Sequence, residues 1–379
     1  MKPLFFFGSL RDRTLLEVVL DRPVADADLA PGIVRGRAAM AVAGEDYPYL
    51  ARVESGRAEG VIVRNLGAQD LERLVYFEEA EYGLEPIQVE TGDGVVDAEY
   101  FASTAKVRPG DAPWDYAAWR RNDRAVAIEA ARELMAHIDI TPVEQMDDIW
   151  HGIKIRAVMR ARAKAEVPVT GALRPARAAQ DVRSVAVDRP YTNYFAIEEH
   201  RLQHRRFDGG WSPEISRAAL TSGDAVTVIP YDADRDEVLL IEQFRAPMYA
   251  RGDACPWAIE AIAGRIDKEL CAETAARREA EEEAGLTLGD LEVVAAYYSS
   301  PGIAAEHLTS FVGQADLSAS GGLFGVAGEG EDIRAFTVPL DRAMDAVASG
   351  EINNGPAILS LLWLERNRDR LRGMWRTKS

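Results

Sequence analysis

Four glutamates stand within the segment RREAEEEAGL, residues 277–286: Glu279, Glu281, Glu282 and Glu283. On an α-helix, Glu279, Glu282 and Glu283 fall at i, i+3 and i+4 and share one face. Like charges at that spacing destabilise a helix by roughly 0.2–0.5 kcal/mol per pair. A bound cation offsets the repulsion. Hard divalent ions such as Mg2+ take oxygen ligands, and a carboxylate-lined helix face supplies them. Such an ion neutralises diphosphate oxygens and helps to activate water. The competing reading is a solvated acidic face, the usual fate of a glutamate run.

Other reactive side chains offer less. His200 and His204 stand beside Glu199. In a strand, residues four apart lie roughly 13 Å apart, too far to share one ion. Cys255 and Cys271 carry no motif and read as buried packing residues. Trp363 and its apolar neighbours read as helix core.

The elements that must position these residues follow from periodicity. PLFFFGSL reads as a strand stopped by Gly8, and RTLLEVVL has helical spacing. AEGVIVRNL and VDAEYFAS read as strands. AQDLERLVYFEEAEY is amphipathic, with Leu71, Leu74, Val75 and Glu78 along one side. DYAAWRRNDRAVAIEAARELMAHI reads as one long helix with Ala118, Val126 and Leu134 on its face. Residues 162–182 are small, basic and proline-containing, which marks a boundary. Beyond it come strands turning at Asp208-Gly209, the β-rich runs DAVTVIPYD and EVLLIEQFR, the glutamate helix, further strands and a last helix, GPAILSLLWLERNRDRL. The pattern is α+β or α/β in class.

Composition narrows the function. The chain has 379 residues and a formal net charge of −18. A strongly acidic chain is not built to coat nucleic acid or an anionic membrane. No stretch approaches the roughly 20 apolar residues that span a bilayer. The two cysteines give no disulfide framework. The expectation is a soluble cytoplasmic protein with neither nucleic acid nor membrane as partner.

Extended backwards, the acidic segment becomes GRIDKELCAETAARREAEEEAGL, residues 264–286. This resembles the Nudix box. Gly264, Arg278, Glu279, Glu282, Glu283, Gly285 and Leu286 fall in place, and Leu270 stands where the family has its first Glu. The register favours the metal reading over a solvated face. The resemblance covers residues 190–370 and is nearest the ADP-ribose pyrophosphatase subgroup, through IEQFR, PWAIEAIAG, YYSSPG, GEGEDI and GEINNGPAILSLLWL. It implies an α/β/α sandwich that hydrolyses a nucleoside diphosphate sugar with Mg2+, Mn2+ being a substitute. The implied substrate is ADP-ribose; GDP-mannose or another nucleotide sugar, or binding without turnover, are the alternatives. The implied metal ligands are Glu279, Glu283, the Ala263 carbonyl and Glu331, with Glu282 supporting them. Glu329 is the implied general base. Arg217 and Arg245 would grip the substrate, with Glu306 nearby; Ala304 and Ala305 replace the subgroup's usual threonine and serine. A homodimer through this domain is implied.

At the other end, FFFGSLRD, residues 5–12, resembles the entrance loop of the gamma-glutamylcyclotransferase-like (AIG2-like) family. That resemblance covers about residues 1–110 and implies a small β-barrel with helices. Gly8, Ser9 and Leu10 would bind substrate, a turn of successive N–H groups being able to cradle a carboxylate. Glu78 would be the acid/base. Phe7, Val75 and Glu79 replace the family's usual Tyr, Asp and Gly. The expected organisation is residues 1–165, a linker over 166–182, and a Nudix domain over 183–379.

Overall fold

The computed structural model describes residues 1–78, 82–103, 109–166, 173, 177–267, 271–325 and 330–376. The chain divides into two compact units, Met1–Pro168 and Val169–Ser379. The first contains β1 (Leu4–Phe6), α1 (Arg13–Leu20), β2 (Leu29–Val42), β3 (Pro48–Val63), α2 (Ala68–Glu78), β4 (Tyr82–Thr91), β5 (Gly94–Ser103), β6 (Pro109–Pro113), α3 (Tyr116–Asn122), α4 (Arg124–Met135) and α5 (Met146–Ala165). Strand order is β3-β1-β5-β4-β2-β6, and β3 also pairs with β2. Five strands therefore close into a barrel, with β6 attached outside. Phe5, Phe7, Val34, Ile62, Val89 and Tyr100 fill one apolar cluster. Leu4, Phe6 and Leu10 point the other way, against α1, α2, α4 and α5. The alternation of Leu4, Phe5, Phe6 and Phe7 between two cores is the strand period of two.

Local chemistry sets the helix ends. Asp12 caps α1 by accepting from the N–H of Leu15. The single helix expected over 115–138 is two, α3 and α4, meeting at Asp123. Leu74 is buried as expected, whereas Val75 is 47% exposed.

The second unit holds β7 (Val182–Thr192), β8 (Ala196–His204), β9 (Ile215–Thr221), β10 (Ala225–Asp232), β11 (Glu237–Phe244), α6 (Ala246–Arg251), β12 (Trp257–Glu260), β13 (Ile262–Arg265), α7 (Ala272–Ala284), β14 (Leu291–Tyr298), β15 (His307–Gln314), β16 (Gly322–Phe324), β17 (Ile333–Pro339), α8 (Leu340–Ser349) and α9 (Gly355–Trp375). β7, β8 and β9 form a small antiparallel sheet. The Asp208-Gly209 turn lies between β8 and β9; the first hairpin turns instead near Asn193, whose N–H donates to the Phe195 carbonyl. The large sheet runs β14-β15-β10-β11-β17-β16, with β13 on β10 and β12 on β11.

Helices cover both faces of that sheet. Val226, Val228, Leu239, Ile241 and Ile333 pack beneath Ala275, Ala276, Ala280 and Ala284 of α7. Ile229, Tyr231, Val238 and Leu240 pack against Leu361, Leu364 and Leu371 of α9. A fully buried leucine contributes roughly 1.5–3 kcal/mol, so the outer layers are firmly held. Alanine on the inner face lets α7 lie close to the strands. Among the described residues no helix is long and apolar enough to cross a membrane. Both cysteines are exposed, so the packing role expected of them does not hold.

Candidate functional site

The inner face of α7 is alanine; its next face carries the carboxylates. Glu279 and Glu283 are 8% and 3% exposed, while Glu281 and Glu282 are exposed. Gly285, in the left-handed region at φ 63°, ends the helix, its N–H donating to the Glu281 carbonyl. Arg278 organises the charges. It contacts Glu279 at 2.7 Å and Glu282 at 2.6 Å, and reaches the Arg265 carbonyl and Asp267 at 3.3 Å. Glu283 accepts from the N–H of Ala263 at 3.1 Å. Ala263 lies opposite Thr227 where β13 pairs with β10. A strand residue's N–H and C=O share an edge, so the Ala263 carbonyl faces the same side as Glu283.

Burial pushes the Glu279 carboxyl up to about 7; Arg278 opposes this, and Glu282, Glu331 and Asp267 add repulsion. Burial likewise raises Glu283 to about 8, against the Ala263 hydrogen bond and with repulsion from Glu279 and Glu331. Glu331, on the loop before β17, therefore shares one electrostatic field with both helix carboxylates.

The donor set suits a divalent cation. Two buried carboxylates repel each other, a third faces them, and a backbone carbonyl lies alongside, all hard oxygen donors. Among the described residues no three His, Cys, Asp or Glu side chains are already drawn together tightly enough to hold an ion. The charge of Glu279 is met by Arg278 instead.

Arg245 follows β11. Burial works against its charge, yet contact with Glu260 outweighs this and raises its pKa. Its Nε donates to Glu260 at 2.8 Å. The same buried carboxylate accepts from Asn354 at 2.7 Å and from Gln243 at 3.3 Å. Asn354 also caps α9, accepting from Ala357. One carboxylate thus ties Arg245 to the last helix. Glu283 and Tyr194 both act on Arg245 electrostatically, which places them near it. Tyr194, from the β7–β8 turn, is 61% exposed, and the Arg265 guanidinium lies 3.9 Å from its ring centroid.

The remaining expected residues are less gathered. Arg217 is exposed on β9, its hydrogen bond going to the neighbouring Ser216 carbonyl. Glu306 accepts from Ser299 at 2.9 Å. Glu329 and Leu270 lie outside the described residues. His200 and His204 lie on β8 and bind no common partner: His200 contacts Glu198 and His204 the Arg205 carbonyl. Glu260, Asn354 and Tyr194 carry no motif in the sequence. Glu260 stood inside PWAIEAIAG, where its polarity in an apolar strand was the available signal.

In the first unit, Gly8, Ser9 and Leu10 form the turn after β1. A Cβ on Gly8 would meet Pro48 Cγ at 3.0 Å. Leu10 is buried in the helical core. Glu78 ends α2 and is half-buried.

The second unit is thus a sheet covered by helices on both faces, with buried carboxylates on one helix and a clamped arginine beside them. Residues 221–357 match the family model described as NUDIX domain, and residues 4–121 that described as gamma-glutamyl cyclotransferase, AIG2-like. The ADP-ribose pyrophosphatase of Escherichia coli (strain K12) is 36% identical over 195 residues, 52% of this chain and 93% of that protein. The GDP-mannose pyrophosphatase of Pectobacterium atrosepticum is 33% identical over 172 residues, 45% of this chain and 86% of that protein. A solved structure titled as that of an ADP compounds hydrolase aligns with 21% identity and a TM-score of 0.40, covering 53% of this chain and all of the other. The chain belongs to the Nudix family, as a pyrophosphatase-type hydrolase joined to an AIG2-like domain. Members of that family generally use divalent metal ions.

Proposed function

We propose that the Nudix domain hydrolyses ADP-ribose, with water, to AMP and ribose 5-phosphate, using Mg2+ or, in its place, Mn2+. The observation that carries the reading is the pair of buried carboxylates, Glu279 and Glu283, facing Glu331 and flanked by Arg245. Glu279, Glu283, Glu331 and the Ala263 carbonyl would hold the ion, with Glu282 fixing Arg278 behind them. When bound, the ion neutralises diphosphate charge and lowers the pKa of water. Arg245, held by Glu260, grips a phosphate oxygen through its guanidinium fork. Arg217 and Glu306 bind the remainder of the substrate. Glu329 takes the proton from the attacking water.

The similarity to a GDP-mannose pyrophosphatase supports GDP-mannose as the second reading, and a sensor that binds without turnover is the third. A nucleotide-sugar panel with Mg2+ separates them. Turnover of ADP-ribose well above GDP-mannose supports the first; the reverse order sinks it.

We also propose a homodimer through the Nudix domain, a cytoplasmic location, and domain limits of 1–165 and 183–379 around a linker. The N-terminal domain is proposed as a gamma-glutamyl amine cyclotransferase, with Glu78 moving the proton and Gly8, Ser9 and Leu10 lining the site. Formation of 5-oxoproline from gamma-glutamyl amines, lost in Glu78→Gln, is the expected result. A full panel without 5-oxoproline contradicts it.

A further inference from the structure

Arg11 stands on the turn that follows Gly8 and is half-buried. Its guanidinium lies over the Tyr116 ring, 4.2 Å from the centroid. Its Nε is shielded from solvent and has no hydrogen-bond partner among the described residues. The neighbouring carboxylate is already engaged: Asp12 caps Leu15 at 3.2 Å and accepts from Arg124 at 2.7 Å. Glu59 attracts Arg11 only at a distance and lies 3.9 Å from Arg57. Burial is the strongest influence on Arg11 and lowers its pKa, acting against its charge.

A guanidinium Nε–H that is shielded from water and meets no acceptor has lost a hydrogen bond that nothing replaces. An anion restores the lost interactions, and a carboxylate matches the planar fork with two parallel hydrogen bonds. The plane is fixed beforehand. Tyr116 holds it, and Tyr116 is itself stacked on Trp119 at 5.8 Å and 13°. Little side-chain freedom then remains to be lost on binding.

We propose that Arg11 binds the carboxylate of a small ligand at this end of the barrel, and that this carboxylate is the α-carboxylate of a gamma-glutamyl group. The proposal rests on the cyclotransferase reading for the ligand's identity alone. In that reaction the α-nitrogen bonds to the carbonyl carbon of the side-chain amide (Cδ), that amide's C–N bond breaks, and the departing amine takes up the proton that the α-nitrogen gives up. The α-carboxylate passes unchanged into 5-oxoproline, so one guanidinium serves substrate and product.

The test titrates the full chain with 5-oxo-L-proline and with its uncharged carboxamide, followed by saturation-transfer NMR. The acid is expected to bind at least about tenfold more tightly than the amide. Arg11→Gln should reduce the acid to the amide's level, and Arg11→Lys should restore part of the difference; the latter serves if the former does not fold. Equal binding of acid and amide, or no binding of the acid, overturns the assignment. A parallel assay on gamma-glutamyl amines separates the two readings. Turnover with an unchanged KM in Arg11→Gln overturns the role of Arg11. Arg11-dependent binding without 5-oxoproline formation upholds Arg11 and overturns the cyclotransferase.

Discussion

A Cβ on Gly264 would lie 1.7 Å from Oε1 of Glu279. β13 and α7 therefore meet with a carboxylate filling the space a side chain would need. Gly264→Ala is expected to push the Glu279 carboxylate off its contact with Arg278 while leaving the alanine seam beneath α7 intact. Activity should fall at least about 100-fold, with stability lowered by about 1–3 kcal/mol. Steady-state kinetics beside urea unfolding checks both. Full activity would show that the position of Glu279 is not critical.

The raised carboxyls predict an inverted pH profile for the metal-free chain. Glu279 near 7 and Glu283 near 8 stand above their ordinary value of 4.5. Between those limits the folded state binds more protons than the unfolded state, so stability falls as pH rises from about 5 to 8. At about 1.4 kcal/mol per pKa unit, the two groups together lose on the order of 6 kcal/mol over that range. Urea midpoints in EDTA at pH 6 and pH 8 measure it, and Glu283→Gln should flatten the slope. A midpoint that rises with pH in the wild type would contradict the raising of the two carboxyls by burial.

Much of this site was legible because it is local. Glycine, arginine and glutamate at fixed offsets within residues 264–286 define a strand, a turn and one helix face, and those offsets survive folding. Glu260 and Asn354 are 94 residues apart in sequence and meet only because α9 returns across the sheet; no periodicity announces such a pair. The break between α3 and α4 escaped for a different reason. Asp123 interrupts a continuous helical pattern, and Asp within a helix is disfavoured without being forbidden. The barrel's two-sided strands showed as apolar runs, but the barrel also needs β1 beside β5, where Leu4 lies opposite Glu99, a long-range pairing.

Glu260 should be a positioning residue with a structural share. Glu260→Ala leaves the half-exposed Arg245 without its anchor and removes the acceptor of Asn354 and Gln243, which costs about 1–3 kcal/mol. Glu260→Gln keeps the hydrogen-bonding shape and loses the charge. It is expected to fold and to raise KM by about tenfold or more, with a smaller change in kcat. An unchanged KM would mean that Arg245 needs no anchor.

In the first unit, Glu133 sits between Arg156 and Arg160 and is 1% exposed, with Arg156 at 0%. Burial would raise its pKa, but the two guanidiniums outweigh that and leave it below the ordinary value. Its contribution is therefore present above about pH 4.5 and is lost as pH falls through the lower folded value. Glu133→Gln should destabilise the chain by about 3–5 kcal/mol at neutral pH. A urea midpoint unchanged at pH 7 would show the triad to be neutral.

The carboxylates of α7 are proposed to serve hydrolysis of ADP-ribose. Chromatography of the products formed from ADP-ribose with Mg2+, in wild type and in Glu283→Gln, tests it most directly. AMP and ribose 5-phosphate are expected in equal amounts from the wild type, and at least a 100-fold lower rate from the variant. Tight binding of ADP-ribose without release of AMP, or an undiminished rate in Glu283→Gln, would contradict it.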